Sequence, residues 1–305
     1  ADSTFNPWEG CQKVSPACDH CYAEARNKRF GGGTAPNWGP RVPRRRTSPA
    51  NWRKPITWQR QAKAFHQAHG RKRRVFCASL ADVFDNQVPP AWRADLWDLI
   101  RATPDLIWML LTKRPQNIEA MKPDFWDEIK DRVWLGATCE DQKRADENIP
   151  HLLQHDAVVL FVSYEPALGP INFEPKAPES YQLLSRFYGK DGFDETGHQP
   201  VQKRMSGFFP RINWIISGGE SGPNARPTNP QWFRDTRDQC EAAGVPYLHK
   251  QNGEFTSVSE VEGPGRHFSF PDGRTVRRVG KKRAGRLLDG REHNEFPNTG
   301  AVERT

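Results

Sequence analysis

The chain lacks the features that would place it in a membrane or in a common hydrolase class. No apolar run is long enough to cross a bilayer, and the first residues show no signal-peptide pattern. A soluble, cytoplasmic protein without a membrane partner is therefore expected. The patterns H-E-x-x-H, G-x-x-x-x-G-K-[ST], G-x-S-x-G and G-x-G-x-x-G are all missing, which removes the zincin, P-loop, serine-hydrolase and dinucleotide-binding templates. Among the nine histidines, His249, within an apolar run, is expected to be a satisfied core or rim residue. Cysteine is scarce as well: of six, Cys77, Cys139 and Cys240 stand singly.

The other three stand together. Cys11, Cys18 and Cys21 follow C-x6-C-x2-C in CQKVSPACDHC. Cys18 and Cys21 would lie one turn apart on a helix, and KVSPA, with its proline and no apolar period, is a loop able to bring Cys11 to them. Three thiolates leave a centre one ligand short. That suits an iron-sulfur cluster with one open iron, or a zinc ion completed by His20 or water. A disulfide or ordinary buried thiols are the alternatives, and a reducing cytosol favours metal or redox use.

At 305 residues the chain can bury a large core, as two domains or one α/β barrel. A net charge of +8 and a pI near 9.3 point to an acidic partner such as DNA or RNA. The positive charge gathers at Arg41, Arg44, Arg45 and Arg46, at Arg71 to Arg74, and at Lys281, Lys282, Arg283 and Arg286. These basic loops are either a phosphate-contacting face or solvated charge. Residues 34–58 have no period and form a loop, in which Trp38, Trp52 and Trp58 could stack bases or pack on the body.

From Val75 onward, short apolar runs alternate with amphipathic stretches. The runs span 75–79, 107–112, 133–138, 158–163, 214–219 and 245–250, and they are continuous, as in strands buried on both faces. CYAEARNKRF is a short helix ended by Gly31 to Gly33, while AWRADLWDLIRA and PQWFRDTRDQCEAAG are amphipathic helices, the last placing Cys240 in the core. The fold expected is an α/β architecture with parallel strands: a partial or full TIM-type (β/α) barrel, or an open doubly wound sheet. Residues 1–305 divide into a cluster loop and basic loop region (1–74), a barrel core (75–251) with an insertion at 173–211, and an irregular C-terminal tail (252–305) with a hairpin near Pro271, Asp272 and Gly273.

In parallel α/β folds, functional residues collect at the carboxyl ends of strands. Those positions hold Ser79 and Asp82; Thr112, Lys113 and Arg114; Glu140; Ser163 and Glu165; Gly218, Gly219, Glu220 and Ser221; and Lys250, Gln251 and Glu254. Turns require Gly, Asn or Pro, so long ionisable side chains there indicate a functional crevice, or else a ring of salt bridges at a barrel mouth. In SGGESGPNARP, Gly218 and Gly219 would let the backbone approach a ligand, and Glu220 could accept from a ribose hydroxyl or an amine.

FNPWEGCQKVSPACDHCYAE, SLADVF, LTKRP, WLGATCE, SYEPALG, WIISGGESGPNARP, VPYLHKQNGE and RLLDGREHNEFP together resemble a phage-associated family of unknown function with a three-cysteine motif, grouped with radical S-adenosylmethionine (radical SAM) proteins. The resemblance implies that Cys11, Cys18 and Cys21 each bind one iron of a 4Fe-4S cluster whose fourth iron takes the amino and carboxylate groups of S-adenosylmethionine. It also implies a 5′-deoxyadenosyl radical that abstracts hydrogen from the substrate, with an electron donor such as a flavodoxin or ferredoxin. Tyr22 fits the aromatic found beside the last cysteine in that superfamily. The commonest superfamily spacing is C-x3-C-x2-C, against a first gap of six here, and no Gly-Gly-Glu-Pro turn stands in its usual place. On this reading Ser79 and Asp82 lie near the methionyl group, Glu140, Glu165 and Gly218 to Glu220 near ribose or adenine, and Thr112 and Ser163 are further cofactor-binding residues. Lys113, Glu140, Glu165 and Lys250 are the catalytic candidates, with Lys113, Arg114 and Lys250 contacting the substrate or a carboxylate, and the substrate is a nucleobase in DNA or RNA to be modified or repaired. The rivals are a zinc-stabilised nucleic-acid-binding protein and a cluster-bearing sensor without turnover.

Overall fold

The structure, a computed structural model, describes residues 1–173 and 211–299. All but the ends of the insertion expected at 173–211 lie outside the described residues. The six apolar runs become β4 (Arg73–Cys77), β5 (Leu106–Thr112), β6 (Val133–Thr138), β7 (Val159–Tyr164), β8 (Trp214–Gly218) and β9 (Tyr247–Gln251). A seventh strand, β1 (Ser3–Thr4), is too short for any period to reveal, and it pairs with β4.

Among the described residues these seven strands form one all-parallel sheet in the order β1-β4-β5-β6-β7-β8-β9. The architecture is an α/β half-barrel, open because β1 and β9 are its edges. Side chains alternate across the sheet as the pleat requires. Trp108, Leu110, Val133, Leu135, Leu160, Val162 and Ile215 join the core shared with helices Pro90–Arg101, Gln142–Leu152 and Pro230–Ala243. Met109, Trp134, Val159, Phe161 and Trp214 make a second cluster on the other face. Gly136 belongs there for steric reasons, since a Cβ on it would meet the Phe161 ring at 2.4 Å. From the C-terminal tail, Phe296 reaches the Trp214 ring at 4.9 Å and joins this second layer.

Two stretches refine the sequence reading. Residues 34–58, expected as loop, include helices Pro49–Trp52 and Lys54–Arg60. Their prolines sit in the first helical turn, where the missing N–H costs nothing, and Ser48 caps the first by accepting from Asn51 N at 3.3 Å. In the tail the expected hairpin forms, β11 (His267–Ser269) against β12 (Thr275–Arg278), with β10 (Phe255–Ser257) on the other side of β12. A small antiparallel pair, β2 (Trp8–Glu9) with β3 (Arg45–Arg46), follows β1. No helix among the described residues is long and apolar enough to cross a membrane.

Candidate functional site

The cysteine loop lies between β2 and α1 (Tyr22–Phe30). Cys18 ends a short 3-10 turn, Pro16–Cys18, and Cys21 is the N-cap of α1, so the two do not share a helix. All three thiols are free; Cys18 is buried, and Cys11 and Cys21 are partly so. Burial pushes the Cys11 thiol up to about 11, against the pull of Arg114, whose Nη1 lies 3.6 Å from its sulfur. Burial works against the charge of Lys113, yet Cys18, Cys21, Asp82 and Glu140 outweigh it and raise the ammonium above its ordinary range. Two cations thus attend three thiols, which fits an anionic thiolate-bound centre. Among the described residues no three His, Cys, Asp or Glu side chains converge on the position of a single metal ion. Each cysteine of a four-iron cluster ligates a different iron, so such convergence is not what a cluster demands.

The strand-end residues hold this loop in place. After β4 and β5, Asp82 accepts from Thr112 Oγ1 (2.8 Å), Lys113 N (3.0 Å) and Arg114 Nη1 (3.0 Å), and Arg114 Nη2 donates to Gln12 O at 2.9 Å. After β6, the fully buried Glu140 accepts from Ala17 N through Oε1 at 3.0 Å, while its Oε2 has no hydrogen-bond partner among the described residues. Beyond β8, Glu220 accepts from Arg226 Nε at 2.9 Å and Nη2 at 2.6 Å and meets His20 Nδ1 at 3.1 Å. Burial opposes the Glu220 charge, but the bonds from Arg226 and His20 overcome it and hold the carboxyl below its ordinary range. Arg226 also donates to Pro16 O at 2.8 Å and Asp19 Oδ2 at 3.2 Å. The loop between the outer cysteines is therefore fastened at Gln12, Pro16, Ala17, Asp19 and His20 by groups from three strand ends, with Asp82 of a fourth, after β4, bracing Arg114.

The remaining expected residues fall nearby, with varied contacts. Tyr22 donates to Ser79 O at 2.6 Å, and the Ser79 hydroxyl pairs with Asn6 at 3.1 Å, which ties β1 and β4 to α1. Glu165 accepts from Lys250 Nζ and Gln251 Nε2, each at 2.8 Å. Ser163 is buried in β7, its carbonyl accepting from Cys139 N at 3.0 Å. The smallness of Gly218 and Gly219 serves the protein's own packing: a Cβ on Gly218 would meet Glu165 Oε1 at 3.0 Å, and one on Gly219 would meet Asn252 O at 2.1 Å. His249 is buried with both nitrogens bonded, to Ser217 Oγ and Asn252 Oδ1, each at 2.9 Å, and Cys240 is core.

Most of the charge in the basic loops is spent internally. Arg44 is buried against Asp85 at 2.7 Å and donates to the carbonyls of Asn37, Gly39 and Val42. Arg45 pairs with Glu9, Arg46 with Asp95 and Arg71 with Asp2, while Arg73 and Arg74 lie over the rings of Phe65 and Phe296. Trp52 packs edge-on to Phe5 and donates to Pro7 O at 3.2 Å, and Trp58 rests on the core. In the third group, Arg283 donates to Glu262 O and Arg286 to His249 O, whereas Lys281 and Lys282 are exposed. Sequence reasoning did not single out Asn6, Asp85 or Arg226. Arg226 lay within the quoted glycine-rich run, but no local pattern marks an arginine six residues beyond its carboxylate partner.

Among solved structures, the chain is similar to a doubly substituted mutant of spore photoproduct lyase with bound AdoMet and dinucleoside spore photoproduct, at 11% identity and a TM-score of 0.37, over 90% of this chain and 67% of that one. It is also similar to spore photoproduct lyase complexed with dinucleoside spore photoproduct, at 10% identity and a TM-score of 0.35, over 88% and 66% of the two chains. No curated protein matches it. Over residues 1–297 the sequence matches one protein family, and the chain belongs to it: the family described as protein of unknown function DUF5131.

Proposed function

We propose that Cys11, Cys18 and Cys21 hold a four-iron four-sulfur cluster and that the protein is a radical SAM enzyme modifying or repairing a nucleobase in DNA or RNA. The observation that carries this reading is the three-thiol loop fastened across the carboxyl ends of an open parallel sheet, with Lys113 and Arg114 beside the sulfurs. When bound, the cluster and S-adenosylmethionine supply reductive cleavage of the sulfonium and the radical that removes hydrogen from the substrate. The protein's own residues bind and orient. Arg114 and Lys113 balance thiolate charge, and Asp82 and Thr112 hold Arg114 in position.

Glu140, with one buried oxygen unpartnered, is the carboxylate available to an ammonium or hydroxyl of the cofactor. Ser79 and Tyr22 flank Cys21, while Ser163, Gly218, Gly219 and Glu220 form the wall after β7 and β8. The Glu165–Lys250 pair, its lysine exposed, is the substrate-facing group. A flavodoxin or ferredoxin delivers the electron.

Anaerobic purification tests the reading. About four irons and four sulfides per chain, 5′-deoxyadenosine on reduction, and loss of both in Cys18→Ala are expected. A colourless, zinc-loaded protein that resists iron reconstitution overturns it. A stable cluster with no 5′-deoxyadenosine in the presence of any DNA or RNA makes the protein a sensor.

A further inference from the structure

α1 starts directly after Cys21 and buries only Ala23 and Asn27, four residues apart and so on one face. Tyr22, Arg26, Arg29 and Phe30 fall within an arc of about 100° on the helix at 3.6 residues per turn. Tyr22 is 61% exposed and Phe30 72%, more than any other large apolar side chain among the described residues. The guanidinium groups of Arg26 and Arg29 lie 5.1 and 5.8 Å from the centre of the Phe30 ring. Arg26 also reaches Glu9 at 3.1 Å, but among the described residues neither Lys28 nor Arg29 has an acidic partner.

Lys28 and Arg29 suit the negative end of the helix dipole, which accounts for their charge but not for two exposed aromatic rings beside them. An aromatic face flanked by arginines matches the stacked bases and phosphates of a single strand. A duplex keeps its base faces covered, so the ring can reach only an unpaired base. The contrast with residues 41–46 and 71–74 lies in the rings: there Arg44, Arg45, Arg46 and Arg71 pair with carboxylates and Arg73 and Arg74 pack on the half-buried rings of Phe65 and Phe296, whereas the Phe30 ring beside Arg26 and Arg29 is itself exposed.

We propose that the free face of α1 binds single-stranded nucleic acid, with an unpaired base on Phe30 and phosphates on Arg29 and Lys28. This rests on the reading of the substrate as a nucleic acid and adds its strand state and its docking surface. Tyr22, bonded to Ser79, sits at the cysteine end of the face. Phe30 lies about 12 Å further along the helix, so the strand is gripped to one side of the reacting centre.

Fluorescence anisotropy with a labelled oligonucleotide of about twelve nucleotides, single-stranded and as a duplex, tests this on the full chain. The single strand should bind more tightly than the duplex. Phe30→Ala should weaken it about tenfold and Phe30→Trp should preserve it. Arg29→Gln should lower the slope of log affinity against log salt by about 0.7. An unchanged melting temperature of the Phe30 variants, expected for an exposed side chain, secures the comparison.

Equal affinity of Phe30→Ala and the unsubstituted protein overturns the proposal, as does a preference for duplex. Phe30-dependent binding of a flavodoxin in place of the oligonucleotide overturns it too. Measured on cluster-free protein, binding is independent of turnover: strand binding without S-adenosylmethionine cleavage sinks the proposed reaction alone, and cleavage without strand binding sinks this inference alone.

Discussion

Two ionic clamps grip the cysteine loop, and they differ in depth. At its front, Asp82 and Arg114 are both nearly inaccessible and fasten Cys11 and Gln12. At its back, Glu220 is buried but the Arg226 side chain is 30% exposed, and this pair fastens Pro16, Asp19 and His20. A buried pair is costly to break from one side because the surviving charge has no water to turn to. A pair open to solvent loses little. The front clamp therefore sets whether the mouth of the half-barrel is assembled, and the back clamp tunes how closely the loop is held.

Arg114→Met tests the deeper clamp and should give the largest effect. It leaves Asp82 buried without its counter-charge and frees Gln12 O, for a loss of about 3–5 kcal/mol in urea unfolding of the metal-free protein. Iodoacetamide should also reach Cys11 faster than before. A loss below about 1 kcal/mol would place this pair among surface ion pairs and erase the contrast.

A buried polar group without a counter-charge gives the control. Burial, with help from His293 and Arg286, holds His249 down to about 4, against an ordinary value of 6.5. The unfolded chain takes up this proton first, so the neutral His249 contributes its full stability above pH 6.5 and loses it as the pH falls toward 4. The loss approaches about 3 kcal/mol at the acid end. Unfolding measured at pH 7.5 and 5 should show this dependence, and His249→Gln should flatten it.

Glu140→Ala comes next. It orphans Ala17 N at a fully buried position and should cost about 1–3 kcal/mol. Glu140→Gln keeps an acceptor for that N–H and should cost less than 1 kcal/mol, about the worth of one ordinary hydrogen bond. If both variants are equally damaged, the role lies in the charge facing Lys113 and not in the bond to the loop.

These expectations show which parts of the molecule were legible in the sequence. The strands were, because burial on both faces leaves a continuous apolar run that needs no knowledge of neighbours, as in VWLGAT and VVLFVS. The short β1 was not, since two residues carry no period. The polar strand ends were visible as a set, yet their partners were not: Glu140 meets a residue 123 positions away, and Arg226 one 210 positions away. Composition misled most where charge was high. Arg44 and Arg45 read alike, but one is buried on Asp85 and the other sits at the surface on Glu9, a difference only tertiary contact decides. Residues 34–58, without a period, read as loop, yet the prolines of residues 49 and 55 open helices there.

The shallow clamp gives the smallest effect and the sharpest test of the comparison. Arg226→Ala removes the bonds to Pro16 O and Asp19, yet the buried Glu220 keeps His20 as a partner, and deleting a side chain that is 30% exposed opens a path for water to its carboxylate. The expected cost is about 1 kcal/mol. Its signature is local: on metal-free protein, alkylation followed by peptide mass spectrometry should show Cys18 and Cys21 reacting several-fold faster and Cys11 unchanged. Arg114→Met should give the reverse order. If either variant exposes all three thiols equally, the loop moves as one body, and the two clamps are a single cooperative fastening with no division between front and back.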